Sequence, residues 1–229
     1  MPSFDKPKTF NTEVTENTEF TDKRCNNVLG YVLAGGGSTR FGRDKALAEI
    51  DGKKMLLRMW ELLRGVGGEV RVVVAPGKHE GLGVTTLTDR WPGEGPLGGI
   101  ITALKATSET GGGQEWNLIV GCDMPFLTRE WLNYFVERAL ASRAEVVVPR
   151  SASGLEPLCA CWRSRGAERL QRAFDSGTRK VTEAMKQLQM EIVDESGWKR
   201  FDSAGHLFWN MNTAADYDEA KKLLEAERA

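Results

Sequence analysis

A glycine-rich loop that follows a short apolar segment constrains this chain more than any other feature. The segment 28–33 predicts a buried strand, and the loop reads LAGGGSTRFGRDK from Leu33 to Lys45. Three consecutive glycines bring no side chains to a core, but they let a ligand approach the backbone and leave backbone N–H groups exposed. Hydroxyls and the cations Arg40, Arg43 and Lys45 follow, so the loop predicts a polyphosphate site.

Two well-known phosphate-binding loops do not match this sequence. The P-loop requires Lys and then Ser or Thr after its last glycine, whereas Arg43 and Asp44 follow Gly42. The dinucleotide-binding fingerprint requires a glycine where this chain has Arg40. A flexible connection with incidental charge is the alternative interpretation. It leaves unexplained why glycines, hydroxyls and cations cluster in one loop directly after a strand.

The composition of the 229 residues is ordinary for a globular protein, with 41% hydrophobic and 28% charged residues. A net charge of −1 argues against a general nucleic-acid-binding protein. No apolar run approaches the roughly 20 residues that span a bilayer. Four cysteines without a C-x-x-C pair and only two histidines give little support for a zinc site or for His-based catalysis. We therefore expect a cytoplasmic protein without nucleic-acid or membrane partners.

The hydrophobic pattern predicts one folded domain, residues 28–229, after an N-terminal extension, residues 1–27, that we expect to be disordered. The extension is polar and lacks the apolar core of a secretory signal. Apolar segments then alternate with helical patterns, which predicts an α/β fold: a single Rossmann-like three-layer domain with a mostly parallel central sheet and helices on both faces. The predicted strands are 28–33, 70–74, 84–88, 116–122, 145–149, 156–162, 192–193 and 207–212.

Two aspartates directly follow predicted strands, Asp89 after 84–88 and Asp123 after 116–122. Ligands of open parallel sheets bind beyond the carboxyl ends of the strands, so both side chains are expected at the ligand edge. A carboxylate that faces a polyphosphate requires a cation between them, and Mg²⁺ suits the shared oxygen ligands. The alternative role for Asp123 is a helix cap, but Thr128 can cap the next helix itself.

Five short motifs follow one another along the chain: LAGG…DKA at 33–46, GPLGGI at 95–100, CDMP at 122–125, EPL at 156–158 and NMNT at 210–213. They resemble the motifs of the molybdenum cofactor guanylyltransferases, a branch of the nucleotidyltransferases. The resemblance covers nearly all of the expected domain. One position departs from the family pattern, because Ala75 ends the second predicted strand where the family often has an Asn that helps to hold GTP.

The resemblance implies transfer of GMP from GTP to molybdopterin or Mo-molybdopterin, with Mg²⁺ as the cofactor and with pyrophosphate and molybdopterin guanine dinucleotide as products. The acceptor phosphate is already anionic, so catalysis reduces to positioning and charge neutralisation. Lys45 and Arg40 are expected to neutralise charge and Asp123 to hold the metal, which makes these three the catalytic residues. The expected GTP-binding residues are Leu33, Ala34, Gly35, Gly36, Gly37, Ser38, Lys45, Asp89 and Asp123.

The resemblance also implies a pterin side of the site, in the later part of the chain. Its expected residues are Glu156, Arg179, Lys180, Asn210 and Asn212. Ordinary surface roles are the alternative for the glutamate and the two cations. After the motif, Thr213 followed by Asp216 predicts the reciprocal cap of a last helix. Implied protein partners are other molybdenum cofactor biosynthesis proteins and acceptor molybdoenzymes or their chaperones.

Two other functions remain open from the sequence. A molybdopterin cytidylyltransferase, or another nucleotidyltransferase that uses CTP or a sugar phosphate, has the same fold and uses a metal ion in the same way. A GTP-binding regulatory module without turnover belongs to a different class, and the presence of both Asp123 and Lys45 argues against it.

Overall fold

The structure is a computed structural model in which residues 28–35, 44–110 and 115–226 are described. The expected N-terminal extension and the loop residues 36–43 lie outside these ranges. The strands are β1 (Val28–Leu33), β2 (Glu49–Ile50), β3 (Lys53–Lys54), β4 (Val70–Val74), β5 (Thr86–Thr88), β6 (Trp116–Gly121), β7 (Val146–Ser151), β8 (Gly154–Leu155), β9 (Cys159–Arg163) and β10 (Met190–Val193). The helices are α1 (Met55–Arg64), α2 (Pro96–Thr110), α3 (Arg129–Ala141), α4 (Ala167–Asp175), α5 (Val181–Ala184), α6 (Glu195–Trp198) and α7 (Ala214–Ala226).

A central sheet organises the described residues, in the order β10-β7-β9-β6-β1-β4-β5, with β8 paired to β7. β9 runs antiparallel to β6 and β7, and β8 runs antiparallel to β7, whereas the other pairings in this sheet are parallel. All six residues of β1 are buried. A continuous buried apolar strand of this kind is typical of a parallel sheet that is covered on both faces.

Helices cover both faces of the sheet, as the side chains of β1 illustrate. Val28 and Val32 belong to the core formed with α1, α3 and α7, whereas Leu29, Tyr31 and Leu33 belong to the core formed with α2, α4 and α5. This division follows from the alternation of side chains along a strand. The predicted fold class is therefore confirmed. Among the described residues, no helix is long and apolar enough to cross a membrane.

The predicted caps of two helices are confirmed. At the start of α3, Trp131 N donates to Thr128 Oγ1 over 3.2 Å. At the start of α7, Asp216 N donates to Thr213 Oγ1 over 3.1 Å, and Thr213 N donates in return to Asp216 Oδ2 over 2.8 Å. The second pair forms a reciprocal capping arrangement that satisfies N–H groups which the helix itself leaves unpaired.

Residues 207–212 do not form the predicted last strand, so this prediction is wrong. They run as an irregular segment in which Met211 N donates to the backbone oxygen of Asp123 over 2.9 Å. Leu207, Phe208 and Met211 are nevertheless buried in the core. A short apolar run gives the same sequence signal in a buried strand and in a buried irregular segment, because periodicity reports burial and not backbone pairing.

Candidate active site

The carboxyl end of β1 lies at the point where the strand order reverses. Leu33, its last residue, is in register with Val73 of β4 on one side and with Gly121 of β6 on the other. The chain then continues through Ala34 and Gly35 into the glycine loop, and Gly35 is exposed. In open α/β sheets this switch point forms the crevice that receives ligands.

Both predicted aspartates lie at this edge of the sheet. Cys122 N donates to Leu33 O over 3.2 Å, which fixes the turn that carries Asp123 beside the end of β1. Asp89 N donates to Val74 O over 2.7 Å, so Asp89 lies directly beyond the pairing of β4 with β5. The sheet register therefore places both side chains at the same edge of the sheet, one on each side of β1.

Lys45 reaches the same crevice from the far end of the glycine loop. Asp44 caps a 3₁₀ turn over Lys45–Leu47, because its side chain accepts from Ala46 N over 3.1 Å. From this turn Lys45 Nζ lies 3.7 Å from Asp123 Oδ2 and donates to Asn212 Oδ1 over 3.1 Å. The cation, the carboxylate and the amide come from three separate parts of the chain.

The Asp123 carboxylate lies in a partly dehydrated environment. Burial raises its pKa above the usual value for an aspartate, and the positive charge of Lys45 acts in the opposite direction. A second cation stabilises the charge of a desolvated carboxylate more strongly than the charge of an exposed carboxylate. The neighbouring Cys122 is a free thiol whose pKa is raised far above its usual value by burial. It therefore stays protonated and is not a nucleophile at neutral pH.

A cavity of about 130 Å³ connects these groups, and its walls include Leu33, Gly35, Lys45, Gly121, Asp123 and Leu158. Among the described residues, no group of three or more His, Cys, Asp or Glu side chains could by itself hold a metal ion. A divalent cation here would use the Asp123 carboxylate and take its remaining oxygen ligands from phosphate and water. Mg²⁺ accepts this arrangement, since it commonly binds one or two carboxylates and substrate phosphates.

Asp89 borders the crevice on the other side of β1. Its Oδ1 accepts from Trp91 N and from Thr102 Oγ1, each over 3.0 Å, and its carboxylate is buried. Its Oδ2 faces Gly35, where a Cβ atom would lie 3.8 Å away. The side chain is thus oriented by two donors, and its second oxygen is directed toward the start of the glycine loop. Thr102 was not identified from the sequence, because only the fold brings α2 beside Asp89.

The residues expected on the pterin side do not form one cluster. Asn212 contacts Lys45, and Asn210 Nδ2 donates to the nearby Phe208 O over 3.3 Å. Glu156 is partly buried, accepts from Ser151 Oγ over 2.6 Å, and has a pKa that burial raises.

Arg179 is engaged elsewhere, on the α4 side of the sheet. It donates to Glu94 Oε2 and to Phe174 O, each over 2.7 Å, and its guanidinium lies 3.9 Å from the Phe174 ring centroid. Glu94 belongs to the turn that precedes α2, and Gly93 and Gly95 of that turn line a small cavity with Asp89. Lys180 is exposed beside Arg179.

A larger cleft of about 730 Å³ opens between the 150–153 turn and the segment 194–209. Its walls include Arg150, Trp198, Lys199, Asp202, His206 and Trp209. The Trp209 ring stacks on Phe126 with centroids 5.6 Å apart and planes at 2°. Two residues further on, Met211 N donates to the backbone oxygen of Asp123, so the segment that lines this cleft continues to the Asp123 turn. This cleft was not predicted, because the pattern of its aromatic residues is that of an ordinary core.

The sequence matches a known family of nucleotide-using proteins. The family model described as the MobA-like NTP transferase domain matches residues 30–191. The molybdenum cofactor guanylyltransferase of Desulfosudis oleivorans is 30% identical over 203 residues, which cover 88% of this chain and 98% of that protein. The probable molybdenum cofactor guanylyltransferase of Pelotomaculum thermopropionicum is 31% identical over 202 residues, which cover 87% of this chain and 94% of that protein.

A solved structure has the same fold. The crystal structure of molybdopterin-guanine dinucleotide biosynthesis protein A from Archaeoglobus fulgidus superposes with a TM-score of 0.74 at 24% identity, covering 86% of this chain and 99% of that one. The resemblance that the five motifs suggested is thereby confirmed. The chain belongs to the family of MobA-like NTP transferase domains.

Proposed function

We propose that this protein is a molybdenum cofactor guanylyltransferase, which transfers GMP from GTP to molybdopterin or Mo-molybdopterin. The observation that carries the proposal is the position of Lys45 Nζ, 3.7 Å from Asp123 Oδ2 at the end of β1. A cation and a desolvated carboxylate at this point suit a polyphosphate with a divalent cation. The relatives at 30% and 31% identity are named for this activity.

In the proposed reaction, an oxygen of the acceptor's terminal phosphate attacks the α-phosphorus of GTP. The bond from that phosphorus to the bridging oxygen breaks, and pyrophosphate leaves with the electron pair. No proton has to be removed from the attacking oxygen, so a general base is not required. The work of the protein is to align the two phosphates and to stabilise the charge that develops on the leaving group.

Lys45 has the central role among the described residues. Its ammonium group, held by Asp123 and Asn212, stabilises negative charge on the β- and γ-phosphates as pyrophosphate leaves. Asp123 would hold a divalent cation, for which we propose Mg²⁺, and that cation would supply positive charge to the phosphates. The expected contributions of Gly36, Gly37, Ser38 and Arg40 concern residues outside the described ranges and stay predictions.

The nucleoside and the acceptor lie on opposite sides of Asp123 in this proposal. Asp89, with its second oxygen directed toward Gly35, is suited to accept a hydrogen bond from the ribose or the base. The cavity of about 130 Å³ at Asp123 suits phosphate groups but is too small for the acceptor heterocycle. We assign the acceptor to the cleft of about 730 Å³ that Trp209 and Ser151 help to line; Glu156 binds Ser151, and Asn210 directly follows Trp209.

Pyrophosphate release from the purified chain tests this proposal. The assay contains GTP, Mg²⁺ and molybdopterin, and the variants are Asp123→Ala and, as a matched control, the exposed acid Asp218→Ala. We expect release that depends on the acceptor, is abolished in Asp123→Ala and is unchanged in Asp218→Ala. Tight GTP binding without release would favour the regulatory module, and wild-type rates in Asp123→Ala would remove the carboxylate from the mechanism.

A further inference from the structure

Asn212 is an exposed residue, yet it provides the amide oxygen that binds Lys45 Nζ over 3.1 Å. The two residues are 167 positions apart. A hydrogen bond from an exposed side chain contributes little when the backbone is free to move, because the entropy lost on ordering the side chain offsets most of the free energy of the bond. What holds the backbone of Asn212 therefore decides how well Lys45 is held.

Asp216, in the first turn of α7, holds that backbone directly. Its Oδ2 accepts from Asn212 N over 2.7 Å and from Thr213 N over 2.8 Å. Hydrogen bonds to an ionised carboxylate are about twice as strong as bonds between neutral groups. The residue before Asn212 is fixed as well, because Met211 N donates to Asp123 O over 2.9 Å. Asn212 is thus fixed on one side to the Asp123 turn and on the other to α7.

The charge of Asp216 also acts on this cluster. Its pKa is lowered, chiefly by the hydrogen bond from the Asn212 backbone and in smaller part by the positive charge of Lys45. Asp216 therefore stays ionised at neutral pH, and its carboxylate lies within electrostatic reach of the Lys45 ammonium. Helix capping alone requires the bond to Thr213 but does not require the bond to Asn212.

We propose that Asp216 is a positioning residue that acts through Asn212 to hold the Lys45 ammonium group beside Asp123. The inference rests on the proposed function, in which Lys45 stabilises the leaving pyrophosphate. Loss of Asp216 frees the Asn212 backbone, so the ammonium group spends less time in its productive position. A displaced group of this kind lowers kcat more than it weakens binding of GTP.

The test compares Asp216→Ala with Thr213→Ala, a control that weakens the same cap. Thr213→Ala removes the bond from Asp216 N but leaves the carboxylate to hold Asn212. We expect Asp216→Ala to lower kcat about tenfold with little change in KM for GTP, and Thr213→Ala to lower the melting temperature while kcat stays near wild type. Asp216→Asn, whose amide oxygen can still accept both N–H bonds, should recover most of kcat.

The double variant Asn212→Ala/Asp216→Ala should be no slower than Asn212→Ala alone, because Asp216 acts through Asn212. Multiplicative losses would overturn the inference, as would equal losses of kcat in Asp216→Ala and Thr213→Ala. Equal losses would show that Asp216 acts only as a helix cap.

A readout that does not need turnover separates this inference from the proposed function. The Lys45 side chain is 17% exposed, so an amine-reactive acetylating ester should label it slowly. Mass spectrometry should detect labelling several-fold faster in Asn212→Ala and in Asp216→Ala, and unchanged labelling in Thr213→Ala. Equal labelling in all variants would overturn the inference. If the wild type released no pyrophosphate but labelling changed as expected, the proposed function alone would fail.

Discussion

The Nζ atom of Lys45 lies 3.7 Å from the Oδ2 atom of Asp123, and both side chains are mostly buried, with exposed fractions of 17% and 21%. Two backbone hydrogen bonds hold the turn that carries Asp123. Cys122 N bonds to Leu33 O, and Met211 N bonds to Asp123 O. A pair that is held in this way can receive phosphates and a divalent cation with little rearrangement, which is the basis of efficient electrostatic catalysis.

Gly121→Ala should impair the site without disturbing the sheet. A Cβ atom at Gly121 would lie 2.7 Å from Asp123 Oδ1, which is closer than real contacts allow, so the carboxylate must move. We expect kcat to fall by at least tenfold, since small misplacements of catalytic groups reduce rates strongly. Gly166→Ala is the control, because there the new Cβ would meet only Leu188 methyl groups at 3.4 Å. Wild-type kinetics in Gly121→Ala would show that the position of the carboxylate is not critical.

Asp123→Asn should raise the free energy of unfolding at neutral pH while it abolishes activity. Burial raises the pKa of Asp123 in the folded protein, so the ionised form destabilises the fold above that pKa. The neutral amide removes this penalty. As pH falls below the raised pKa, the folded wild-type carboxyl becomes protonated and the difference should shrink; it should vanish below the ordinary aspartate pKa, where the unfolded carboxyl is protonated as well. Thermal unfolding of both proteins between neutral and acidic pH measures this difference in stability. A lower melting temperature for Asp123→Asn than for the wild type at neutral pH would contradict the expectation.

Lys45→Met, which keeps most of the length of the side chain but removes its charge, should change both the rate and its pH dependence. We expect kcat to fall by about 10²-fold, as is typical when one electrostatic stabiliser is lost. Lys45 lowers the pKa of Asp123, so its removal should move the acid limb of the kcat profile to higher pH. A profile that keeps its acid limb unchanged would indicate that Asp123 is not the group that titrates.

Arg179→Ala should affect GTP rather than the acceptor, contrary to the role that the sequence motif implies. Its guanidinium binds Glu94 in the turn next to Asp89, so Arg179→Ala and Glu94→Ala should raise KM for GTP by similar factors. Lys180→Ala should instead raise KM for the acceptor if the implied phosphate contact belongs to Lys180. If Arg179→Ala increased only the KM for the acceptor, Arg179 would belong to the pterin side of the site, as the sequence motif implies.

The sequence predicted those parts of the molecule that depend on local rules. The buried strand β1, the Thr128 cap and the Asp123 position each follow from a few neighbouring residues, and the structure confirms the strand and the cap. The α/β layers followed from the alternation of strand and helix patterns, because that alternation requires crossovers.

The remaining features depend on contacts between distant parts of the chain. The bond from Lys45 to Asn212 spans 167 positions, and Arg179 meets Glu94 across 85 positions, so neither is readable from local spacing. The apolar residues of segment 207–212 predict a strand, but its backbone bonds to the Asp123 turn instead. The cleft beside Trp209 likewise arises only when separate turns pack together. The expected cytoplasmic location and the protein partners stay predictions.

The most direct measurement is analysis of the products that the purified protein forms from molybdopterin, Mg²⁺ and either GTP or CTP. Mass spectrometry distinguishes the two dinucleotides by the mass of the base, and a parallel assay follows pyrophosphate. We predict a guanine dinucleotide and stoichiometric pyrophosphate with GTP and no product with CTP. A cytosine dinucleotide formed from CTP, or no dinucleotide from either nucleotide, would contradict the proposed guanylyltransferase activity.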